Sequence, residues 1–189
     1  MAYYFLIAQL PQLHYGQEPP LSSAAFLERY GAMLSKPDAA LLSLCRLGLQ
    51  SGEASEPTSS AFINAWCARE RVLTLTLAKL RAAKLQFEVL AAEIPDGLDE
   101  VKTLAKAAFA MEDPFEAELF LDKGRWDAIE SLVGLDYFTA DVVFAYFLKL
   151  LLIERRSSFK SEEGFAEYKA LYAGIIESAP KAGANGEAT

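Results

Sequence analysis

The groups in this chain that could do chemistry are few and poorly arranged for a reaction. The single histidine, His14, lies in a proline-flanked segment. Any Ser–His–Asp relay would have to run through it. There is no HExxH and no ExxH pairing with a second carboxylate, so a ferritin-like di-metal site has no imidazoles to use. There is no CxxC and no zinc-like spacing, no GxxxxGK[ST] phosphate cradle and no GxSxG elbow. The densest acidic run is "MEDPFEAE", residues 111–118. Metal-binding acids on one helix face are one reading of it. The simpler reading is the first turn of a helix, where unpaired N–H groups favour acids. Cys45 and Cys67 stand in apolar surroundings and make no disulfide framework. They read as small buried hydrophobes in a reduced compartment. The expectation is a non-enzyme with no catalytic residue, no metal, no cofactor and no small-molecule substrate.

Net charge points the same way. At −8 over 189 residues, the chain lacks the basic surface that neutralises phosphates, so no nucleic-acid partner is expected. Between Glu93 and Asp141 stand 13 acids and 4 bases, a net of −9, which leaves the remainder near neutral. From Arg69 to Lys84 the balance reverses: Arg69, Arg71, Lys79, Arg81 and Lys84 face only Glu70. These runs read as solvated helix faces, or as an acidic patch that meets a basic partner.

A hydrophobic fraction of 52% is enough for a real core without disulfides or metals. The start, "MAYYFLIAQLPQL", has no positive n-region or small-residue cleavage site, and its Tyr, Phe and Ile content predicts a short extended segment. Helices are predicted next. Ser22 or Ser23 caps the first and Ser35 the second, with Pro37 and Asp38 in its first turn. "QSGEASEPTSS" is a loop. From Ser59 or Ser60 to about Ile94 runs a spine helix with neither Pro nor Gly, in which Trp66, Leu73, Leu80 and Phe87 recur every seven residues with Leu77 between. "PDGL" turns the chain into "DEVKTLAKAAFAM". "EDP" breaks that helix, and "PFEAELFLDKGRWDAIESLVGL" follows as one helix or two, with Gly124 a candidate break. Thr139 caps a further helix and Ser161 the last. The expected fold is all-α: a helical bundle with one long spine and an extended N-terminal segment. It forms a single domain over 1–178, with a mobile tail at 179–189.

"VVFAYFLKLLLIERR", Val142–Arg156, is the least polar stretch. Its apolar run, Val142–Ile153, gives about 18 Å of helix, whereas a bilayer core needs about 20 apolar residues. Lys149 interrupts it, and apolar residues cover almost every face. It reads as a central helix packed on more than one side, not as a membrane helix. Lys149 is expected to snorkel or to pair with an acid such as Glu118.

The order across "DPFEAELFLDKGRWDAIESLVGLDYFTADVVFAYFLKLLLIERRSSFKSEEGFAEYKAL" runs from proline and acids to a Trp in a helix, a Phe before a cap and a long apolar helix ending in charges. With the opening "YYFLIAQLPQL", it resembles a poorly characterised bacterial family encoded among V/A-type ATPase subunits. More distantly, residues 113–156 are similar to the axle-socket subunit of those enzymes, the all-helical component that sits on the membrane rotor ring and receives the foot of the central axle. This chain is considerably shorter than that subunit. The resemblance implies an all-helical, non-catalytic peripheral protein at the cytoplasmic face of a membrane, linking the central axle to the membrane rotor ring in ion or proton transport. A general helical scaffold or assembly factor is the alternative. Glu116, Glu118, Arg125, Trp126, Glu154, Arg155 and Arg156 are the candidate partner-interface residues. Their structural alternatives are a core Trp126 and cations placed at a helix C-terminus by its dipole.

Overall fold

The computed structural model of the protein describes residues 2–48, 57–86 and 93–159. Seven α-helices follow in order: α1 Tyr4–Gln9, α2 Ser23–Tyr30, α3 Lys36–Leu42, α4 Ala61–Leu85, α5 Asp99–Phe109, α6 Pro114–Leu132 and α7 Ala140–Ser158. Among the described residues there is no strand. The all-α expectation is therefore met. Met1–Arg156 form one packing unit and Ser157–Thr189 a second. The expected last helix from Ser161 and the tail lie outside the described residues.

Local chemistry sets most helix starts. Ser22, Ser35 and Ser60 accept hydrogen bonds from the backbone N–H groups of Ala25, Asp38 and Ile63, each satisfying a donor that the first turn leaves open. Asp113 caps α6 by accepting from Phe115 N–H at 2.8 Å, with Pro114 in the first helical position. The acids of "MEDPFEAE" therefore do sit at a helix start.

Two expectations are corrected. The N-terminal segment is helical over Tyr4–Gln9, not extended. Tyr3 and Leu6 are buried, and Ile7 and Leu10 are partly buried against the same core. That spacing is helical, and packing on it outweighs the β-preference of the residue types. The spine α4 ends at Leu85, because Gln86 adopts the left-handed conformation (φ 55°) and its N–H bonds back to Ala82 and Ala83. Trp66, Leu73 and Leu77 of the predicted stripe are buried and Leu80 is half-buried. Phe87 lies outside the described residues.

The packing unit holds two apolar cores, and α4 serves both. Its first half puts Phe62, Ile63 and Trp66 into a core built with Phe26, Ile129 and much of α7. Its second half puts Val72, Leu73 and Leu77 into a smaller core with Val101 and Ala105 of α5 and Leu121 of α6. Helix α6 enters the small core first and the large core afterwards, so it runs opposite to α4. Helix α7 behaves as predicted for a central element: Val143, Phe144, Leu148, Leu150, Leu152 and Ile153 are all 2% exposed or less. Each such burial contributes about 1.5–3 kcal/mol. No helix of the described residues is long and apolar enough to cross a membrane.

Helix α6 continues unbroken through Gly124. The glycine is there for contact: a Cβ at Gly124 would meet Leu104 Cδ2 at 2.6 Å and Cδ1 at 2.8 Å. Gly124→Ala is expected to destabilise the fold by about 1–3 kcal/mol through overpacking, despite alanine's better helix propensity. Urea denaturation checks this; a variant as stable as the parent would contradict the tight α5–α6 approach.

Candidate interaction site

Between the two cores runs a seam of charge. On α4, Glu70 lies between Trp66 of the large core and Val72 of the small one, and it is 2% exposed. On α6, Asp122 and Arg125 lie between Leu121 and Ile129 in the same way. Arg125 Nε donates to Glu70 Oε1 at 2.9 Å and its Nη1 to Asp122 Oδ1 at 3.0 Å. The same Asp122 oxygen accepts from Arg155 Nη1 of α7 at 3.1 Å. Arg155 Nη2 also donates to Glu118, which lies 3.9 Å from Arg81 of α4. The second Glu70 oxygen accepts from Gly48 N–H at 3.0 Å, which anchors the chain after α3. Three carboxylates thus face three guanidinium groups across α4, α6 and α7.

The seam is not fully balanced. Asp122 Oδ2 is buried with no hydrogen-bond partner among the described residues. Burial pushes the Asp122 carboxyl above its ordinary range, further than Arg155 and Arg125 pull it down. Burial also works to lower Arg125, but the carboxylates of Glu70 and Asp122 outweigh it and hold the guanidinium above its usual value.

A second, shallower cluster adjoins it. Glu130 Oε1 accepts from Trp126 Nε1 and from Lys149 Nζ, both at 2.9 Å. The Lys149 ammonium also lies 4.6 Å from the centre of the Trp126 ring. The acid that pairs with Lys149 is therefore Glu130 and not Glu118, which is committed to Arg155. These contacts with Lys149 and Trp126 hold the Glu130 carboxyl below its ordinary range.

The candidate interface residues are mostly turned inward. Arg125 and Trp126 are buried. Glu118 and Arg155 belong to the seam. Glu154 accepts from Ser23 N–H at 2.6 Å, tying α7 to the start of α2. Arg156 lies 5.1 Å from the Tyr15 ring. Glu116 is exposed in the first turn of α6. Burial pushes the Cys45 thiol up to about 12, so it stays protonated and packs as a hydrophobe. Among the described residues no group of three or more His, Cys, Asp or Glu is placed to hold a metal.

Residues outside that set form the open surface. At one end of the fold Tyr4, Phe5, Leu135, Tyr137 and Phe138 are all exposed. Tyr3 N–H donates to Phe138 O at 2.7 Å, joining the start of α1 to the α6–α7 connection. The Tyr4 and Phe138 rings lie 4.4 Å apart. Apolar character alone does not say which face is covered, so this exposure carries no signal in the sequence. Glu70 did carry a signal, as the one acid in the basic run from Arg69 to Lys84.

Residues 90–177 match the model of a family of proteins of unknown function, DUF2764. The match spans α5, α6 and α7 and includes the α6 and α7 parts of the seam, but not Glu70. No curated protein and no solved structure matches the chain.

Arg125→Met is expected to cost about 3–5 kcal/mol, because it leaves Glu70 and Asp122 buried without their shared cation. Chemical denaturation measures this, and a loss below about 1 kcal/mol would contradict the seam. Asp122 also sets a pH dependence. A carboxyl with a raised folded pKa binds its proton more tightly in the native state. Its contribution to stability is therefore full below the unfolded pKa and is lost as pH rises through the folded value. The stability of Asp122→Asn relative to the parent should accordingly improve between about pH 3 and pH 7. Unfolding curves across that range test the sign; a relative stability that falls would contradict it.

Proposed function

We propose that this chain is a non-catalytic helical coupling protein, a peripheral component of a bacterial V/A-type ATPase similar to the axle-socket subunit of those enzymes. In this reading it works at the cytoplasmic face of the membrane and links the central axle to the membrane ring. Two things support it. The residue order over 113–156 resembles that of the axle-socket subunit, and the chain is helical throughout its described elements, as that subunit is.

The structural observation that carries the reading is the seam through Glu70, Arg125, Asp122 and Arg155. A coupler that passes torque must resist sliding between its helices. Close-packed apolar contacts transmit strain but are non-directional. Charge-assisted hydrogen bonds shared among three helices add fixed geometry to them. Such a body needs no reaction centre of its own, since the chemistry belongs to the complex it joins.

Co-expression of the chain with the axle and ring subunits of a V/A-type ATPase from the same organism tests this. A stoichiometric complex that survives washing in mild detergent is expected. A well-folded chain that elutes alone would contradict the rotary role and leave a helical scaffold of another kind.

A further inference from the structure

We propose that the aromatic end of the fold is a docking surface for a basic amphipathic helix of another protein. The inference does not depend on the partner's belonging to an ATPase. Scattered exposed apolar residues are ordinary on a protein surface, but a contiguous group is not. Here Leu135 is 91% exposed, Phe5 72%, Tyr137 64% and Tyr4 62%, and they come from two chain segments joined by the Tyr3–Phe138 hydrogen bond and the Tyr4–Phe138 ring contact.

These side chains are presented on a fixed base. Tyr3, between them and the core, is buried, and its hydroxyl donates to Asp38 while accepting from Ser35 N–H. Its N–H holds Phe138 O. Aromatic anchors on a pinned backbone lose little freedom on binding, which is what central interface residues need.

The same two segments enclose a cleft of about 450 Å³. Ile7, Leu10, Leu13, Val133 and Val142 line it, with the Glu130–Lys149 pair at its polar edge. An open, mainly apolar cleft on the segments that also carry the exposed aromatic residues suits a helix that lays one apolar face into it.

Charge selects the partner. Residues 2–13 and 131–148 carry two acids, Asp136 and Asp141, and no base. Lys149 at the cleft edge is already engaged by Glu130 and the Trp126 ring. The net charge of these two segments is therefore −2, which favours a helix with Lys or Arg flanking its apolar face. An anionic lipid surface is disfavoured by the same charges.

The test uses the full chain and two fluorescein-labelled model helices. One carries Leu at helical spacing with Lys between; its counterpart carries Glu in place of Lys. At physiological ionic strength the basic helix is expected to bind saturably and the acidic one not. Leu135→Ser combined with Tyr137→Ser should weaken binding ~10-fold or more, with the melting curve unchanged. Asp136→Lys, an exposed substitution, should weaken it as well even if the double variant folds poorly. Glu28→Lys on α2 should leave it unaltered and so separates docking from general attraction to an acidic protein. Failure of the basic helix to bind, equal binding of both helices, or affinity indifferent to Asp136→Lys would overturn the proposal. Co-flotation of the full chain with phosphatidylcholine vesicles in the absence of any helix would also overturn it, in favour of a lipid surface.

Discussion

One buried cation ties the helices together where the two cores meet. Arg125 stands where two apolar cores meet, and its guanidinium joins Glu70 of α4 to Asp122 of its own helix. The larger core gathers chiefly around α7 and the smaller one around the second half of α4. What makes them one body is that α4 and α6 pass through both, in opposite directions, and are tied where they cross the boundary. An apolar seam of the same volume would give comparable or better stability, since burying ion pairs gains little net energy. It would not fix the register of α4 against α6. Charges in fixed geometry do that, and the extension through Arg155 to Glu118 brings α7 into the same register.

This placement sets three buried charged residues, Glu70, Asp122 and Arg125, between two apolar cores, while several aromatic residues stay exposed on α1 and the α6–α7 connection. The charged residues that looked suited to meeting a partner are largely spent on internal ties. Arg125 and Trp126 are buried, Glu118 and Arg155 close the seam, and Glu154 caps the approach of α2. The surfaces not committed to holding the helices include Glu116 and the exposed side chains of Tyr4, Phe5, Leu135 and Tyr137.

Much of the architecture was legible in the sequence because its causes are local. The caps at Ser22, Ser35, Ser60 and Asp113 follow from side chains that bond N–H groups a few residues on. Helix α7 announced its many-sided burial by lacking a polar face. The N-terminal helix was not legible, because a six-residue stretch with three β-favouring residues, Tyr4, Phe5 and Ile7, is helical where Tyr3 and Leu6 pack into the core. The seam was only half legible. Glu70 stood out among bases, but its partner is 55 positions away on another helix, and nothing in the sequence joins them. The exposed end was hidden for the opposite reason, since Phe5 and Leu135 look like core residues until the fold leaves them uncovered.

Native-state hydrogen exchange on the parent and on Arg125→Met tests the central claim, that the seam makes the two cores one cooperative unit. The account predicts that in the parent the slowest amides of α4 on either side of Glu70 exchange with a common opening energy. In the variant, protection should fall in both α4 and α6 on both sides of the seam. Separate opening energies for the two halves of α4 in the parent, or a loss in the variant confined to the turn around residue 125, would contradict it.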